Sequence, residues 1–241
     1  MLGLPVHRCD RRQAAGRCAR AVEAHRDGAG APLQVVTLNP EILMLARRQP
    51  ELARVIRRAG LVLADGQGLV WASRRLGRPL PERVAGVDLL DDLAAAAAAR
   101  GWRVFLLGAG PGVAARAAVR LQGRHPGLTV AGTAAGSAAE SEAAPLVAAI
   151  AARRPDVLAV AFGAPRQELW LDRHLGETGA ALGIGVGGSL DVLAGRVPRA
   201  PGALRARGLE WAYRLWRQPW RLPRMLRAAP FFVLCLVERR R

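Results

Sequence analysis

The sequence predicts an α/β fold, a Rossmann-like, mostly parallel sheet flanked by helices, with a basic amphipathic helical appendage at the C-terminal end. Three observations carry this expectation. Short apolar, β-branched stretches recur at 33–38, 61–64, 102–107, 128–131, 157–162 and 181–186. Helix-period segments such as EILMLARRQPELARVIRRAG, VDLLDDLAAAAAARG and PLVAAIAARRPD lie between them. The composition then changes, with 12 arginines against only Glu210 and Glu238 over residues 196–241. Strands that are apolar on both faces and alternate with helices belong to a parallel sheet covered on both sides. The expected division is a core over 1–195 and an appendage over 196–241.

Each element follows in order. LQVVTL is the first strand, and NPE behind it starts a helix, with Asn39 at the N-cap, Pro40 at the first helical position and Glu41 in the first turn. LVLA is the second, ending at Asp65 on the glycine-bearing turn DGQG. WRVFLL, the third, runs into GAGPG, and LTVA is the fourth. The stretch AGTAAGSAAESEAAP reads as a loop entering a helix near Ser141. VLAVAF, the fifth, leads into GAPRQE, and the sixth strand leads into GVGGSLD. The alanine run 94–99 is helix filler.

Composition bounds the function classes. The 241 residues are 51% hydrophobic, enough for a substantial core. The net charge of +17 is carried wholly by arginine, +10 of it on residues 196–241, so the basic partner surface is mostly C-terminal. Cys9, Cys18 and Cys235 form no CxxC, which points away from a disulfide framework and from zinc and suits a reducing compartment. The start, MLGLPVHRCDRR, lacks the apolar run of a secretory signal. The apolar run AAPFFVLCLV has ten residues, whereas a bilayer span needs about 20.

In an open parallel sheet, ligands bind beyond the carboxyl ends of the strands. Thr37 and Asn39, Asp65, the glycines of 108–112, residues 163–167 and residues 185–191 all stand at such ends. Asn39 reads equally as a cap and as a site residue. Asp65 either accepts N–H groups from its own turn or acts as a buried base. GAGPG, with Gly108 and Gly110, suits a phosphate, but Val113 replaces the third glycine of GxGxxG and no acid follows the next strand, which argues against a dinucleotide. Gln167, at a helix mouth next to Phe162 and Gly163, is placed to donate to a sugar or phosphate oxygen; Glu168 reads as a helix-dipole partner and Trp170 as core. Gly185 and Asp191 frame a second helix mouth suited to a nucleotide, or else a tightly packed joint. Asp88, Asp91 and Asp92 fall within a helix and read as dipole partners, and the four histidines are scattered, so no metal site is expected. Arg83 is a loop arginine suited to clamping a phosphate.

In the appendage, Leu209, Tyr213, Trp216 and Trp220 share one helical face, with Arg214, Arg217, Arg221 and Arg224 along its flank. Pro219 and Pro223 divide it into two short helices or one kinked helix. Arginine beside a Trp/Tyr stripe suits an anionic bilayer surface. The rival readings are packing of the stripe on the core and binding of nucleic acid, although no nucleic-acid motif accompanies the charge.

Taken together and in this order, VVTLNPE, ADGQGLVWA, ERVAGVDLL, VFLLGAGPGVA, FGAPRQELW, GVGGSLDVLAGRVPRAP and GLEWAYRLWRQPWR resemble the WecG/TagA/CpsF glycosyltransferase family. The resemblance implies a metal-independent, inverting transferase that moves a sugar of N-acetylmannosamine, uronic acid or glucose type from a UDP-sugar to a polyprenyl diphosphate-linked saccharide. It implies Asp65 as general base, Arg83 beside it, and Thr37, Asn39 and Gln167 in the substrate site. The appendage arginines Arg214, Arg221 and Arg224 would meet a diphosphate, standing where family members often carry lysine. Gly108, Gly110, Phe162, Gly185 and Asp191 complete the substrate-binding set. No cofactor beyond the donor is implied. The expected partners are the two substrates and an anionic membrane surface, not nucleic acid, with homo-oligomerisation left open. The expected location is cytoplasmic, peripheral at the inner face of the membrane. A dinucleotide-dependent oxidoreductase and a basic nucleic-acid module are the alternatives.

Overall fold

The computed structural model describes residues 1–237, apart from the side chains of Arg221 and Arg224. Six strands, β1 (Leu33–Leu38), β2 (Leu61–Ala64), β3 (Arg103–Gly108), β4 (Thr129–Ala134), β5 (Val157–Ala161) and β6 (Leu182–Gly185), form one sheet in the order β2-β1-β6-β5-β3-β4. Every pairing is parallel. The helices of the core are α1 (Arg11–Arg26), α2 (Pro40–Arg48), α3 (Pro50–Arg58), α4 (Gln67–Arg75), α5 (Gly86–Arg100), α6 (Val113–Arg124), α7 (Glu140–Ala151), α8 (Arg166–His174) and α9 (Ser189–Leu193). Beyond them lie α10 (Gly202–Ala206), α11 (Glu210–Arg217) and α12 (Leu222–Val237).

The expected α/β architecture is what forms, and alternation along the strands explains it. Val35, Leu61, Leu63, Val104, Leu106, Val157, Ala159, Leu182 and Ile184 face a core built with α1, α5, α6 and α9. Their neighbours Val36, Leu38, Val62 and Ala64 face α2, α3, α4 and α12, while Phe105, Leu107, Leu158 and Val160 face α7 and α8. Both faces of the sheet are therefore covered along β1, β2, β3, β5 and β6, as nearly continuous apolar strands require, whereas the edge strand β4 buries only Ala131 and exposes Thr129 and Thr133.

Departures from expectation are local. The helical segment after β1 divides at Pro50, because proline cannot donate to the preceding turn; Gln49 ends α2 and begins α3. β4 runs on to Ala134, and α7 begins at Glu140. Helix α1, unforeseen above, is started by a reciprocal cap in which Asp10 accepts from the Gln13 backbone and Gln13 from the Asp10 backbone.

Among the described residues the appendage contains three helices, the short α10, then α11 and the longer α12. α11 stops at Gln218, before Pro219, and a 3-10 turn Pro219–Arg221 leads into the 16-residue α12, where Pro223 is tolerated near the start. α12 packs on α2 and α4. Phe231 and Cys235 are fully buried in that contact, and burying Phe231 contributes about 1.5–3 kcal/mol. Phe232, on the next face, lies 5.6 Å from the Trp71 ring of α4.

Candidate active site

Parallel pairing brings the carboxyl ends of all six strands to one rim, and the strand order sets the ends of β2, β1, β6, β5 and β3 side by side there. Asp65 prolongs β2 by one residue, its backbone N–H donating to Leu38 O at 2.8 Å. The Val84 N–H donates to Ala64 O at 2.9 Å and so draws the loop between α4 and α5 across the same strand end. Arg83 is thereby placed with Nε 4.0 Å from Asp65 Oδ1. The Asp65 side chain is 30% exposed. Burial pushes its carboxyl up from 3.8 to about 6, against the pull of Arg83, Arg214 and the Gly86 backbone N–H, while Glu210 pushes with burial.

The third member of this cluster comes from the appendage. Glu210, the first residue of α11, is 4% exposed. Its Oε2 accepts from Arg83 Nη2 at 2.7 Å, and its Oε1 lies 3.1 Å from Arg214 Nη2. Burial opposes its charge, but the Arg83 hydrogen bond and the charges of Arg214, Arg83 and Arg199 hold its carboxyl below the usual range. Arg199 is held in turn by Asp88 at 2.5 Å, leaving its buried Nε without a hydrogen bond among the described residues. Asp88, in the first turn of α5, thus does more than complement a helix dipole. Asp92 and Asp91 lie deeper in α5, where Asp92 binds Arg11 at 2.5 Å and Asp91 contacts Arg124 and His125 at 3.2 Å.

A second cluster lies further along the rim. Thr37 is buried, and its hydroxyl donates to Gly185 O at 2.9 Å, joining the ends of β1 and β6. Gln167 is 2% exposed and ties two loops together, Oε1 accepting from Gly163 N at 3.1 Å and from Gly187 N at 3.0 Å. Its Nε2 donates to Glu168 Oε1 at 2.8 Å. Gly185 makes room for this, because a Cβ there would come within 2.6 Å of Gln167 Nε2. Glu168 is 1% exposed, burial pushes its carboxyl up to about 7, and Oε2 has no hydrogen-bond partner among the described residues.

The remaining expected residues are distributed along the same rim. Asn39 caps α2 through Oδ1, accepting from Ile42 N at 3.0 Å. Phe162 is buried, edge-on to Trp170 at 5.8 Å. Gly108 presses against it with φ +93°, where a Cβ would meet Phe162 Cδ1 at 2.9 Å. Gly110 approaches Arg196, whose Nη1 stands 3.8 Å from Asp191 Oδ1 at the start of α9. Arg221 and Arg224, expected at a diphosphate, have side chains outside the described residues.

Asp65, Arg83 and Arg214 are therefore brought together, Thr37, Gly185 and Gln167 form a supporting joint, and Asn39 serves as a cap. Glu210 and Arg199 were missed by sequence reasoning. The available signal was that Glu210 is the sole acid in 196–237 and stands four residues before Arg214, one helical turn. Chemically, the first cluster pairs a raised carboxyl with two guanidiniums, a combination able to take a proton beside an anionic group.

The outer surface of the appendage is apolar as well as basic. Trp211, Trp216, Trp220, Leu222, Leu226 and Val233 are exposed, Trp216 and Trp220 by 73% and 71%. Among the described residues, no helix is long and apolar enough to cross a membrane.

Comparison with known proteins identifies the family. Two relatives, the N-acetylglucosaminyldiphosphoundecaprenol N-acetyl-beta-D-mannosaminyltransferases of Staphylococcus aureus strains MW2 and NCTC 8325 / PS 47, are each 35% identical over 209 residues, covering 87% of this chain and 81% of the relative. The family model described as glycosyl transferase WecG/TagA/CpsF matches residues 1–241. On this family match and these relatives, the chain belongs to the WecG/TagA/CpsF glycosyltransferase family.

Proposed function

We propose that the protein transfers an N-acetylmannosamine-type sugar, with inversion, from a UDP-sugar to a polyprenyl diphosphate-linked saccharide in cell-surface polysaccharide synthesis. The observation that carries this reading is the Asp65 carboxyl, raised to about 6, standing 4.0 Å from the Arg83 guanidinium on the rim. A sugar hydroxyl is a weak nucleophile, and a carboxylate in hydrogen-bond reach removes its proton as the glycosidic bond forms. Asp65 is that base. A carboxyl that titrates near 6 is ionised at neutral pH and more basic than an ordinary aspartate, which suits the task. Attack on the face opposite the leaving diphosphate inverts the anomeric carbon. Arg83 and Arg214 stabilise the charge that develops on the diphosphate, and with two guanidiniums supplied by the chain the reaction proceeds without a divalent cation.

The family relatives named above support the acceptor class, since their names specify an N-acetylglucosaminyl diphosphoundecaprenol. The exposed tryptophans and the C-terminal arginine excess support docking at the inner face of an anionic cytoplasmic membrane, where each basic residue contributes roughly 1 kcal/mol. The test is product mass. The protein is incubated with a panel of UDP-sugars and a short-chain polyprenyl diphosphate N-acetylglucosamine, in EDTA. One added N-acetylhexosamine from UDP-N-acetylmannosamine is the expected result, and no product with any donor refutes the reading.

A further inference from the structure

Beside Asp65, the acid that this mechanism leaves without a role is Glu210. It divides its two oxygens between two guanidiniums, 2.7 Å from Arg83 Nη2 and 3.1 Å from Arg214 Nη2, while Arg83 Nε stands only 4.0 Å from Asp65 Oδ1. A guanidinium is a rigid planar fork, so the arm given to Glu210 decides where the other nitrogens lie. Without the Glu210 charge, Asp65 is the other carboxylate within 4.0 Å of Arg83 among the described residues. A two-pronged pair with Arg83 would occupy both Asp65 oxygens and leave the carboxylate too weak a base. Arg199 cannot substitute, because Asp88 already holds it at 2.5 Å.

We propose that Glu210 is a positioning residue for the transfer reaction: from the first turn of α11 it holds Arg83 off Asp65 and presents Arg214 beside it, so that both guanidiniums meet an incoming diphosphate while the base stays free. This rests on the reading of Asp65 as base. The groups facing Asp65 agree with it. Arg83 from the α4–α5 loop, Arg214 from α11 and the Gly86 N–H from α5 all favour its charge, and among the described residues Glu210 is the one charged neighbour that opposes it. A mere strap that fastens α11 to the core would make no demand on the basicity of Asp65.

The experiment compares pH profiles of kcat/KM for wild type, Glu210→Gln, Glu210→Asp and Asp65→Asn, with UDP-N-acetylmannosamine and the short-chain lipid-linked acceptor. Melting curves check that each variant is folded. Glu210→Gln is expected to lose about tenfold or more in kcat at pH 7 and to move the acid limb to lower pH. Glu210→Asp, which keeps the charge on a shorter arm, is expected to lie between the two. An acid limb that stays at the wild-type position in both Glu210 variants overturns the proposal, whatever happens to the rate, and leaves the base assignment standing if Asp65→Asn is inactive. Wild-type turnover by Asp65→Asn overturns both.

Discussion

Replacing Asp65 by Asn should make the protein more stable above pH 7 while stopping the reaction. The structure sets the size of the effect. The Asp65 carboxyl is raised from 3.8 to about 6, chiefly by burial, so folding opposes its ionisation. The sign follows from proton counting. Between these two values the folded state holds the proton more tightly than the unfolded chain, so stability is greatest below pH 3.8, falls as pH rises through about 6, and is level beyond. A difference of about two units corresponds to about 3 kcal/mol. Water reaching a side chain that is 30% exposed reduces this to about 2 kcal/mol. Asn is close in shape to the protonated acid and cannot ionise, so Asp65→Asn should equal wild type near pH 4 and exceed it by about 2 kcal/mol at pH 8. For a chain of this size that is about 4 to 8 °C in Tm. Paired melting curves at pH 4 and pH 8 measure it, and transfer assays on the same samples should show a loss of at least about a hundredfold. Coincident melting curves at both pH values would show that Asp65 is not desolvated, and the argument for its raised basicity would fail with them.

Other expectations follow from the same geometry. Gln167→Ala removes the acceptor for the Gly163 and Gly187 N–H groups and should cost about 2 to 4 kcal/mol by denaturant titration, with a fall in kcat as the two loop mouths loosen. Glu168→Gln should reduce the fall in stability between pH 4.5 and about 7 and remove the part of it above pH 6, because burial raises the Glu168 carboxyl to about 7 while the Asp65 contribution ends near 6; urea midpoints at pH 6 and pH 8 provide the check. Trp216→Ala with Trp220→Ala should weaken co-sedimentation with anionic vesicles by about tenfold or more while shifting unfolding by less than about 0.5 kcal/mol, since both rings are already exposed.

The sheet was legible because its strands are apolar on both faces. A stretch such as VLAVA needs cover on each side, and only a parallel sheet between helices provides it. The cap at Asn39 and the division at Pro50 follow from donors that are present or missing on the backbone. Helix α1 was overlooked although its signal, Asp10 followed three residues later by Gln13, was present; its weak apolar stripe of Ala14, Cys18, Ala19 and Val22 concealed it. Strand order was not legible, since an α/β alternation of one length fits several orders, and order alone makes the ends of β2, β1 and β6 neighbours. Glu210 was hidden for a related reason. Its partners Arg83 and Arg214 lie on a distant loop and on its own helix, and one acid among many arginines reads in sequence as a surface charge. The burial of Gln167 was likewise invisible, because it depends on the missing Cβ of a glycine 18 residues away.

That last contact limits how this chain can vary. The space filled by the Gln167 amide is the space a methyl group at position 185 would claim, the two coming within 2.6 Å. Neither position is then free to change by itself. Alanine at 185 becomes tolerable only with a shorter residue at 167, and that residue must surrender the amide oxygen that both loops share. A saturation library of the pair should therefore yield functional clones along a narrow diagonal, and the combination found here will be difficult to leave by single steps.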